Sequence, residues 1–362
     1  MRGTLIVKLF RSSALSLTAV AAVLSTAPAL ADSSMIAGTD VLRTWNLVVL
    51  GDLTSSSEVE GRTFVGGDLN GTSSNYQISG TVDSGTGVPG LTVVGDVNGN
   101  TKNLNNGSGA VVGGNVNSGF NLNGSPQTVQ VGGTISNTNV NSNTVNSGLA
   151  ASDPGFIQDL NQQASLIETS MTGLSHSLST LDANSTLAIN GNRGTFNAQP
   201  DADGVAVFNI AASDLDSIGE IQFNLNGADT AIVNVTGGSI TLNDNFLGGT
   251  NNLGEHVIWN FPDATDMSVT TAWGGSVLAP KANATTGNYI QGSAVFGSLV
   301  QNGEMHVGTY NGGYYPSPTD PTPGGSSSSS GGTDVPEPGT VGLFGLALAA
   351  LFFWQRRRMR PA

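Results

Sequence analysis

The chain of 362 residues has no cysteine. It can therefore form no disulfide framework, no thiolate metal site and no cysteine nucleophile. Charged residues make up 10% of the chain and aromatic residues 6%, which argues against helical bundles and coiled coils, because these need charge-rich helical surfaces. Glycine, with 50 residues, and asparagine, with 35, are abundant instead. The composition predicts short strands joined by many tight turns.

Basic residues are scarce, and most of them lie near the two ends. Residues 32–335 contain 5 Lys or Arg and 25 Asp or Glu, so this part of the chain carries a net charge of about −20. Nucleic acids and anionic polymers are bound through clusters of Lys and Arg. We therefore expect no nucleic-acid partner.

Residues 1–31 have the pattern of a secretory signal peptide. A basic start is followed by an apolar run over residues 14–24 and by Ala29-Leu30-Ala31 before Asp32. Ala29 and Ala31 supply the small side chains of the predicted cleavage site. The alternative is a retained anchor helix, but the apolar run is shorter than the roughly 20 residues that span a bilayer. The pattern predicts export.

The C-terminal residues 335–362 contain three features in a fixed order. The segment Pro336-Glu337-Pro338 precedes an apolar stretch over residues 341–354, and a cluster of arginines follows at residues 356–360. This order predicts a short membrane helix with a basic cytoplasmic end. The tail resembles the PEP-CTERM sorting signal of Gram-negative bacteria. The resemblance implies that an exosortase-type membrane protease cuts near Pro336, Glu337 and Pro338; a permanent single-span anchor is the alternative.

Residues 316–334 contain Pro, Gly, Ser, Thr and Asp and no large apolar residue. Such a segment cannot bury a core and is expected to be a linker. The folded body should therefore cover residues 32–315.

The first half of this body contains an irregular repeat. A Val/Leu pair, a Gly corner, a small polar residue and a further apolar residue recur around glycines 51, 67, 95, 114 and 133, in steps of 16, 28, 19 and 19 residues. Steps of about 19 residues are typical of one coil of a β-solenoid, and the longer step leaves room for a loop over residues 73–90. We expect the glycines to supply positive φ at the corners. A structural role, with bonds to local backbone groups, is expected for the corner residues Asp52, Asp68, Asp96 and Asn115, in preference to calcium binding.

The period changes in the middle of the body. After Ser152-Asp153-Pro154, apolar residues recur every three or four positions as far as Leu181. This spacing predicts one amphipathic helix of about 28 residues. Polar but uncharged residues on its other faces favour packing along the solenoid, and a dimerising coiled coil is the alternative. The strands expected after the helix carry Asn or Thr opposite their apolar positions, which predicts a polar outer ladder.

The body resembles the choice-of-anchor A domain of bacterial surface proteins. The motifs that carry the resemblance are the start at Trp45-Asn46-Leu47-Val48, the repeat Val65-Gly66-Gly67-Asp68, the central helix, and the end at Trp273-Gly274-Gly275-Ser276 and Gly303-Glu304-Met305-His306. The resemblance covers residues 40–313. It implies a β-helical, adhesin-like extracellular domain with no known catalytic residues, so the expected fold class is mainly β, a β-solenoid with one long helix packed alongside.

Few residues are candidates for chemistry. The three histidines are His176, His256 and His306, and only the last has a carboxylate at a usable spacing, Glu304. Asp201 and Asp203 resemble the start of a calcium loop, but the other ligands of an EF-hand are missing. We expect no catalytic residue, no cofactor and at most a calcium ion at Asp201 and Asp203, with an Asx turn as the preferred interpretation.

Two hypotheses from different classes remain, and a third is kept beside them. The leading hypothesis is a non-catalytic surface or matrix protein that adheres to exopolysaccharide or neighbouring surface proteins in a biofilm. The first alternative is a glycan-active enzyme on a solenoid, which would need two facing carboxylates. The second is an ice-binding protein, which would need a flat and regular array of Thr. The sequence does not assign the binding residues.

Overall fold

The computed structural model describes residues 36–79 and 87–315. Four predictions lie outside these residues: the signal peptide with Ala29 and Ala31, the linker, the sorting motif with Pro336, Glu337 and Pro338, and the membrane segment over residues 341–354. Among the described residues, no helix is both long and apolar enough to cross a membrane. All described helices, strands and core residues belong to one compact unit, so residues 32–315 contain a complete core and are expected to fold on their own.

Short strands dominate the described structure. The strands before the long helix are β1 Leu47–Val49, β2 Leu53–Ser55, β3 Glu58–Val59, β4 Thr63–Val65, β5 Leu69–Gly71, β6 Asn75–Tyr76, β7 Leu91–Val93, β8 Lys102–Leu104, β9 Ala110–Val112, β10 Phe120–Leu122, β11 Thr128–Val131 and β12 Thr144–Asn146. The strands after it are β13 Thr186–Asn190, β14 Arg193–Asn197, β15 Val205–Ala211, β16 Glu220–Asn224, β17 Thr230–Thr236, β18 Ser239–Leu242, β19 Asn245–Phe246, β20 Val257–Asn260, β21 Asp266–Val269, β22 Trp273–Gly274, β23 Ser276–Thr286, β24 Ile290–Gln291, β25 Ala294–Gln301 and β26 Met305–His306. The helices are α1 Thr39–Thr44, α2 Leu149–Ser152, α3 Pro154–Ser179, α4 Ala212–Asp216 and α5 Leu253–His256.

The strands form stacked coils with three faces, which confirms the predicted mainly β, solenoid-like fold. The helix-covered face has the strand order β12-β11-β9-β7-β4-β1-β25-β23-β20-β17-β15, and all its pairs are parallel. The polar face contains β18, β21, the C-terminal parts of β23 and β25, β2 and β5, and continues through bridges between Leu69, Val97, Val116 and Ile135. The third face has the order β10-β8-β6-β3-β26-β24-β22. A separate sheet, β13-β14-β16-β19, contains the antiparallel pair β13–β14.

The coils do not follow one another in chain order. Strand β1 pairs with β4 on one side and with β25, close to the end of the body, on the other, where Leu47 lies opposite Ala294. The first half therefore extends from the middle of the stack to β12, and the second half runs from β15 back to the middle. Helix α3 connects the two ends. The repeat in the sequence did not predict this closure, which protects β1 from being an exposed edge.

The glycines of the repeat lie in register in successive coils, as their spacing predicted. The reason why glycine is required there differs from the one expected. The amides of Gly67, Gly95, Gly114 and Gly133 each donate to the carbonyl of the preceding glycine in this series, which begins at Gly51, at 2.9–3.0 Å. None of these glycines has a positive φ, which corrects the expectation above. Neighbouring coils approach too closely for a side chain, since a Cβ on Gly114 would lie 2.1 Å from Asp96 Oδ1 and 2.8 Å from the carbonyl oxygen of Gly95. Glycine is required here by contact between coils.

Two apolar clusters stabilise the stack. One fills the inside of the solenoid with stacked Val, Leu, Phe and Trp residues. The other lies between the helix-covered face and α3, where Ile167, Met171, Leu174 and Leu178 contact residues such as Ile232. Strands of this face are thus buried on both sides, as the uninterrupted burial of β1, β4 and β7 shows.

Helix α3 has 26 residues and begins after Asp153, whose side chain accepts a hydrogen bond from the Gly155 amide at 3.2 Å. Near its end, Asn234 and Asn260 donate to the carbonyl oxygens of Leu178 and Ser175, both at 2.8 Å. These hydrogen bonds join the C-terminal end of the helix to the solenoid. The expected outer ladder of Asn in these strands is therefore wrong at Asn234 and Asn260, which are 3% and 0% exposed beneath the helix.

Candidate binding face

The polar face presents two rows of outward side chains, one pair from each of nine coils. In the first row the register aligns Thr241, Ser268, Thr285, Val300, Thr54, Asn70, Asn98, Asn117 and Ser136. In the second it aligns Ser239, Asp266, Asn283, Ser298, Asp52, Asp68, Asp96, Asn115 and Thr134. All of these side chains are exposed or half-buried.

Apolar residues between the two rows point into the solenoid. Ile240, Met267, Leu299, Leu53 and Val116 are each at most 4% exposed. Because neighbouring parallel strands are about 4.8 Å apart, nine coils extend over roughly 38 Å. The packed interior thus supports a long and regular polar surface.

The first row changes its chemistry along the stack. Hydroxyl groups dominate in the coils formed by the second half of the chain, interrupted by Val300, which is 45% exposed. In the coils of the first half the row becomes a ladder of amides, in which Asn117 donates to Asn98 at 2.8 Å and Asn98 donates to Asn70 at 3.1 Å. The side chains of the ladder are held in place by their neighbours before any ligand binds.

The corner residues of the second row bridge successive coils. Oδ1 of Asp52 accepts from the amide of Asp68 at 2.8 Å, and Oδ1 of Asp68 accepts from the amide of Asp96 at 2.7 Å. Asp96 repeats this contact with Asn115 at 2.5 Å, and Asn115 repeats it with Thr134 at 3.0 Å. The expected partners were local backbone groups, whereas the observed partners are amides of the next coil. These corner residues therefore hold the coils together and line the polar face with carboxylate and amide oxygens.

The end of the described body lies on the side of the helix. Tyr310 belongs to the apolar cluster between α3 and the helix-covered face. The Arg43 guanidinium lies over the rings of Tyr310 and Tyr315, 5.0 Å and 4.2 Å from their centroids, and also donates to the carbonyl of Gly312. Residues 310–315 are thus held beside α1 by Arg43, away from the two polar rows.

The structure places Asp201 and Asp203 in an exposed turn before β15. Oδ1 of Asp201 accepts from the amides of Asp203 and Val205 at 3.0 and 2.9 Å. These contacts form the Asx turn that was the preferred interpretation. Calcium binding at Asp201 and Asp203 stays a prediction. In the described part of the chain, no three His, Asp or Glu side chains come together as a metal site.

Glu304 and His306 point outward together on the third face. His306 Nε2 lies 2.8 Å from Glu304 Oε2, and the His306 ring stacks on Tyr289 with centroids 4.4 Å apart. His176 is exposed on α3, and His256 Nδ1 contacts the carbonyl of Asp229 at 2.8 Å. The histidines thus lie on three different elements, and the aromatic partner of His306 was not predicted.

A polar outer ladder rich in Asn and Thr was expected, but the residues of the candidate face were not assigned, although the sequence carries a signal for them. Each Gly-Asp or Gly-Asn corner is followed by an apolar residue and then by Asn or Thr, as in Gly51-Asp52-Leu53-Thr54 and Gly95-Asp96-Val97-Asn98. This alternation marks one buried and two outward positions in each coil. What the sequence does not show is that the second half of the chain extends the same two rows.

The stacked coils and the polar face define the class of the described body, a parallel β-solenoid with an extended polar surface. A family model described as "Putative Ice-binding-like adhesive domain" matches residues 38–307, about three quarters of the chain, and the chain belongs to this family. The match supports an adhesive surface domain, but it does not show the choice-of-anchor A family in particular. No curated protein and no solved structure matches the chain.

A second family model, the PEP-CTERM protein-sorting motif, matches residues 334–358. The predicted sorting signal is therefore confirmed. The motif implies processing by an exosortase and indicates export to the cell surface of a Gram-negative bacterium.

Proposed function

We propose that this protein is a non-catalytic surface adhesin that binds exopolysaccharide through its polar face. The observation that carries the proposal is the pair of aligned rows, in which hydroxyl, amide and carboxylate groups recur at every coil. Polysaccharides have a matching repeat of hydroxyl groups along a chain. The two rows contain no Lys or Arg, which favours neutral glycans over anionic ones.

Such a surface binds by many weak contacts. Each exposed hydrogen bond replaces a bond to water and contributes little by itself. A glycan chain that lies along several coils makes these contacts simultaneously, so its apparent affinity rises well above that of one sugar unit. The proposal therefore predicts preference for long polymers over their monosaccharides.

A binding assay on residues 32–315 tests the proposal. The segment is incubated with insoluble exopolysaccharide from the producing organism, and both sedimented protein and released reducing sugar are measured. We expect retention of the protein, no release of sugar, and competition by long polymer at far lower sugar concentration than by monosaccharide. Release of sugar would favour the glycan-active enzyme, and failure to bind would overturn the proposal.

Ice binding has a specific observation in its favour, the family description together with the hydroxyl part of the first row. The row alternates Thr with Ser and Val in these coils and then continues as Asn, so it lacks the regular Thr array that this function was expected to need. Recrystallisation of ice in the presence of the same segment distinguishes the two functions. Inhibition of crystal growth without retention on polysaccharide would support ice binding.

A further inference from the structure

Asp244 is a buried carboxylate with no hydrogen-bond partner in the described structure. Its side chain is fully buried, and both Oδ1 and Oδ2 have no hydrogen-bond partner among the described residues. A buried carboxylate is normally paired, hydrogen-bonded or bound to a metal ion, because loss of hydration is costly. This side chain therefore needs an explanation that the adhesive face does not give.

The backbone at Asp244 and Asn245 is hydrogen-bonded to neighbouring coils, so it is the Asp244 side chain that lacks partners. Asp244 lies in the corner between β18 and β19. Its carbonyl oxygen accepts from Thr271 Oγ1 at 2.9 Å, and the following residue, Asn245, donates its amide to Gly219 at 3.0 Å. These contacts tie the corner to the coils on both sides. The carboxylate is thus held inside the solenoid.

The charged group that acts on the Asp244 carboxylate is a second carboxylate. Asp216 is exposed at the end of α4 in the preceding coil, and α4 packs against β18, the strand that leads to Asp244. Burial, together with repulsion by the Asp216 carboxylate, raises the pKa of Asp244 to about 7. The basic side chains near the second half of the chain are engaged elsewhere, since Arg193 pairs with Glu220 and Lys281 donates to the carbonyl of Pro262. Protonation alone would still leave the acid's O–H without an acceptor.

We propose that Asp244 and Asp216 form a calcium-binding site at this corner of the solenoid. A divalent cation would neutralise the repulsion between the two carboxylates and occupy the unpartnered oxygens of Asp244. Asp216 is exposed and Asp244 is buried, so one carboxylate of the pair is accessible from solvent. Ca²⁺ fits best, because it accepts carboxylate, carbonyl and water oxygens in flexible geometry and binds extracellular modules with Kd of about 10⁻⁴–10⁻³ M.

Thermal unfolding of residues 32–315, followed by tryptophan fluorescence, tests the site. Melting temperatures are compared in about 5 mM CaCl2 and in EDTA near neutral pH, a calcium concentration above the expected Kd. We expect calcium to raise the melting temperature of the wild type by a few degrees. Asp244→Asn should remove this response and melt at a higher temperature than the wild type in EDTA, since it eliminates the buried charge.

Two further variants distinguish this site from the other candidate calcium site, the turn at Asp201 and Asp203. Asp216→Asn changes an exposed residue and should fold, and calorimetric titration should show calcium affinity lowered by about tenfold. Asp203→Asn, in the exposed turn before β15, is the matched control and should respond to calcium as the wild type does. Equal melting temperatures in calcium and EDTA, or a calcium response that survives in Asp244→Asn, would overturn the proposal. Loss of the response in Asp203→Asn would place the ion at that turn and would also overturn it.

Discussion

Asn260 and Ser175 exchange two hydrogen bonds across the interface between the solenoid and its helix. Ser175 Oγ donates to Asn260 Oδ1 at 2.6 Å, and Asn260 Nδ2 donates to the Ser175 carbonyl at 2.8 Å. The same Nδ2 also donates to Asn234 Oδ1 at 2.9 Å, and both asparagines are buried. A buried amide thus links the solenoid, the helix and the neighbouring coil.

Replacing Asn260 should loosen this interface. Asn260→Ala leaves Ser175 Oγ without its acceptor and Asn234 Oδ1 without its donor, and both atoms belong to buried residues. Each such group costs about 1–3 kcal/mol. We expect the free energy of unfolding of residues 32–315 to fall by roughly 2–4 kcal/mol, measured by denaturant titration. The exposed Asn243→Ala is the control and should change it by less than about 0.5 kcal/mol. Similar values for the two variants would contradict the structural role of the buried amide.

The glycine ladder gives a second prediction. In Gly114→Ala the new Cβ would meet Asp96 Oδ1 at 2.1 Å and the Gly95 carbonyl oxygen at 2.8 Å, so the coils would have to separate. We expect a loss of at least about 2 kcal/mol on unfolding, as in other overpacked sites. Gly173→Ala on α3 has open space around its Cβ and should be neutral or stabilising, by up to about 1 kcal/mol. Equal tolerance of alanine at both positions would show that the coils do not approach as described.

Lys102 makes the stability depend on pH. Its side chain is buried, Nζ donates to the carbonyls of Gly71 and Thr72 at 3.2 and 2.6 Å, and burial lowers its pKa to about 8. The folded state therefore releases this proton at lower pH than the unfolded state, so stability should rise as the pH increases from 8 toward 10. Melting temperatures across this window should increase in the wild type. Lys102→Met should flatten the increase, and an unchanged slope in that variant would assign the effect to another group.

The sequence predicted the repeating unit better than its assembly. The local sequence determines the corner at Gly95-Asp96-Val97. Its tight turn, the strand before it and its buried valine could therefore be predicted from the sequence alone. The pairing of Leu47 with Ala294 joins residues almost 250 positions apart, and no local pattern encodes which edge β1 meets. The burial of Asn234 and Asn260 depends in turn on where α3 packs. Alternating polar residues look alike whether they face water or a helix.

The candidate sites show the same limit. Asp201 and Asp203 attracted attention because of their spacing, yet they form a turn whose contacts are local. Asp244 has no motif around it in the sequence, since its burial comes from a corner enclosed by two other coils. The polar face combines rows from both halves of the chain, and its extent follows only from the register between β2 and β25.

The affinity of face variants for exopolysaccharide tests the central claim most directly. Thr54→Glu and Thr285→Glu, combined in one chain, place bulky charged groups on exposed positions of the first row, and Thr169→Glu makes the same change on an exposed position of α3. All three positions are at the surface, so we expect each variant to fold with a melting temperature close to that of the wild type. The account predicts that the double variant binds the polymer at least about tenfold more weakly, a change of roughly 1.4 kcal/mol, while Thr169→Glu binds as the wild type does. Unchanged binding by the folded double variant, or an equal loss in Thr169→Glu, would contradict the assignment of the polar face.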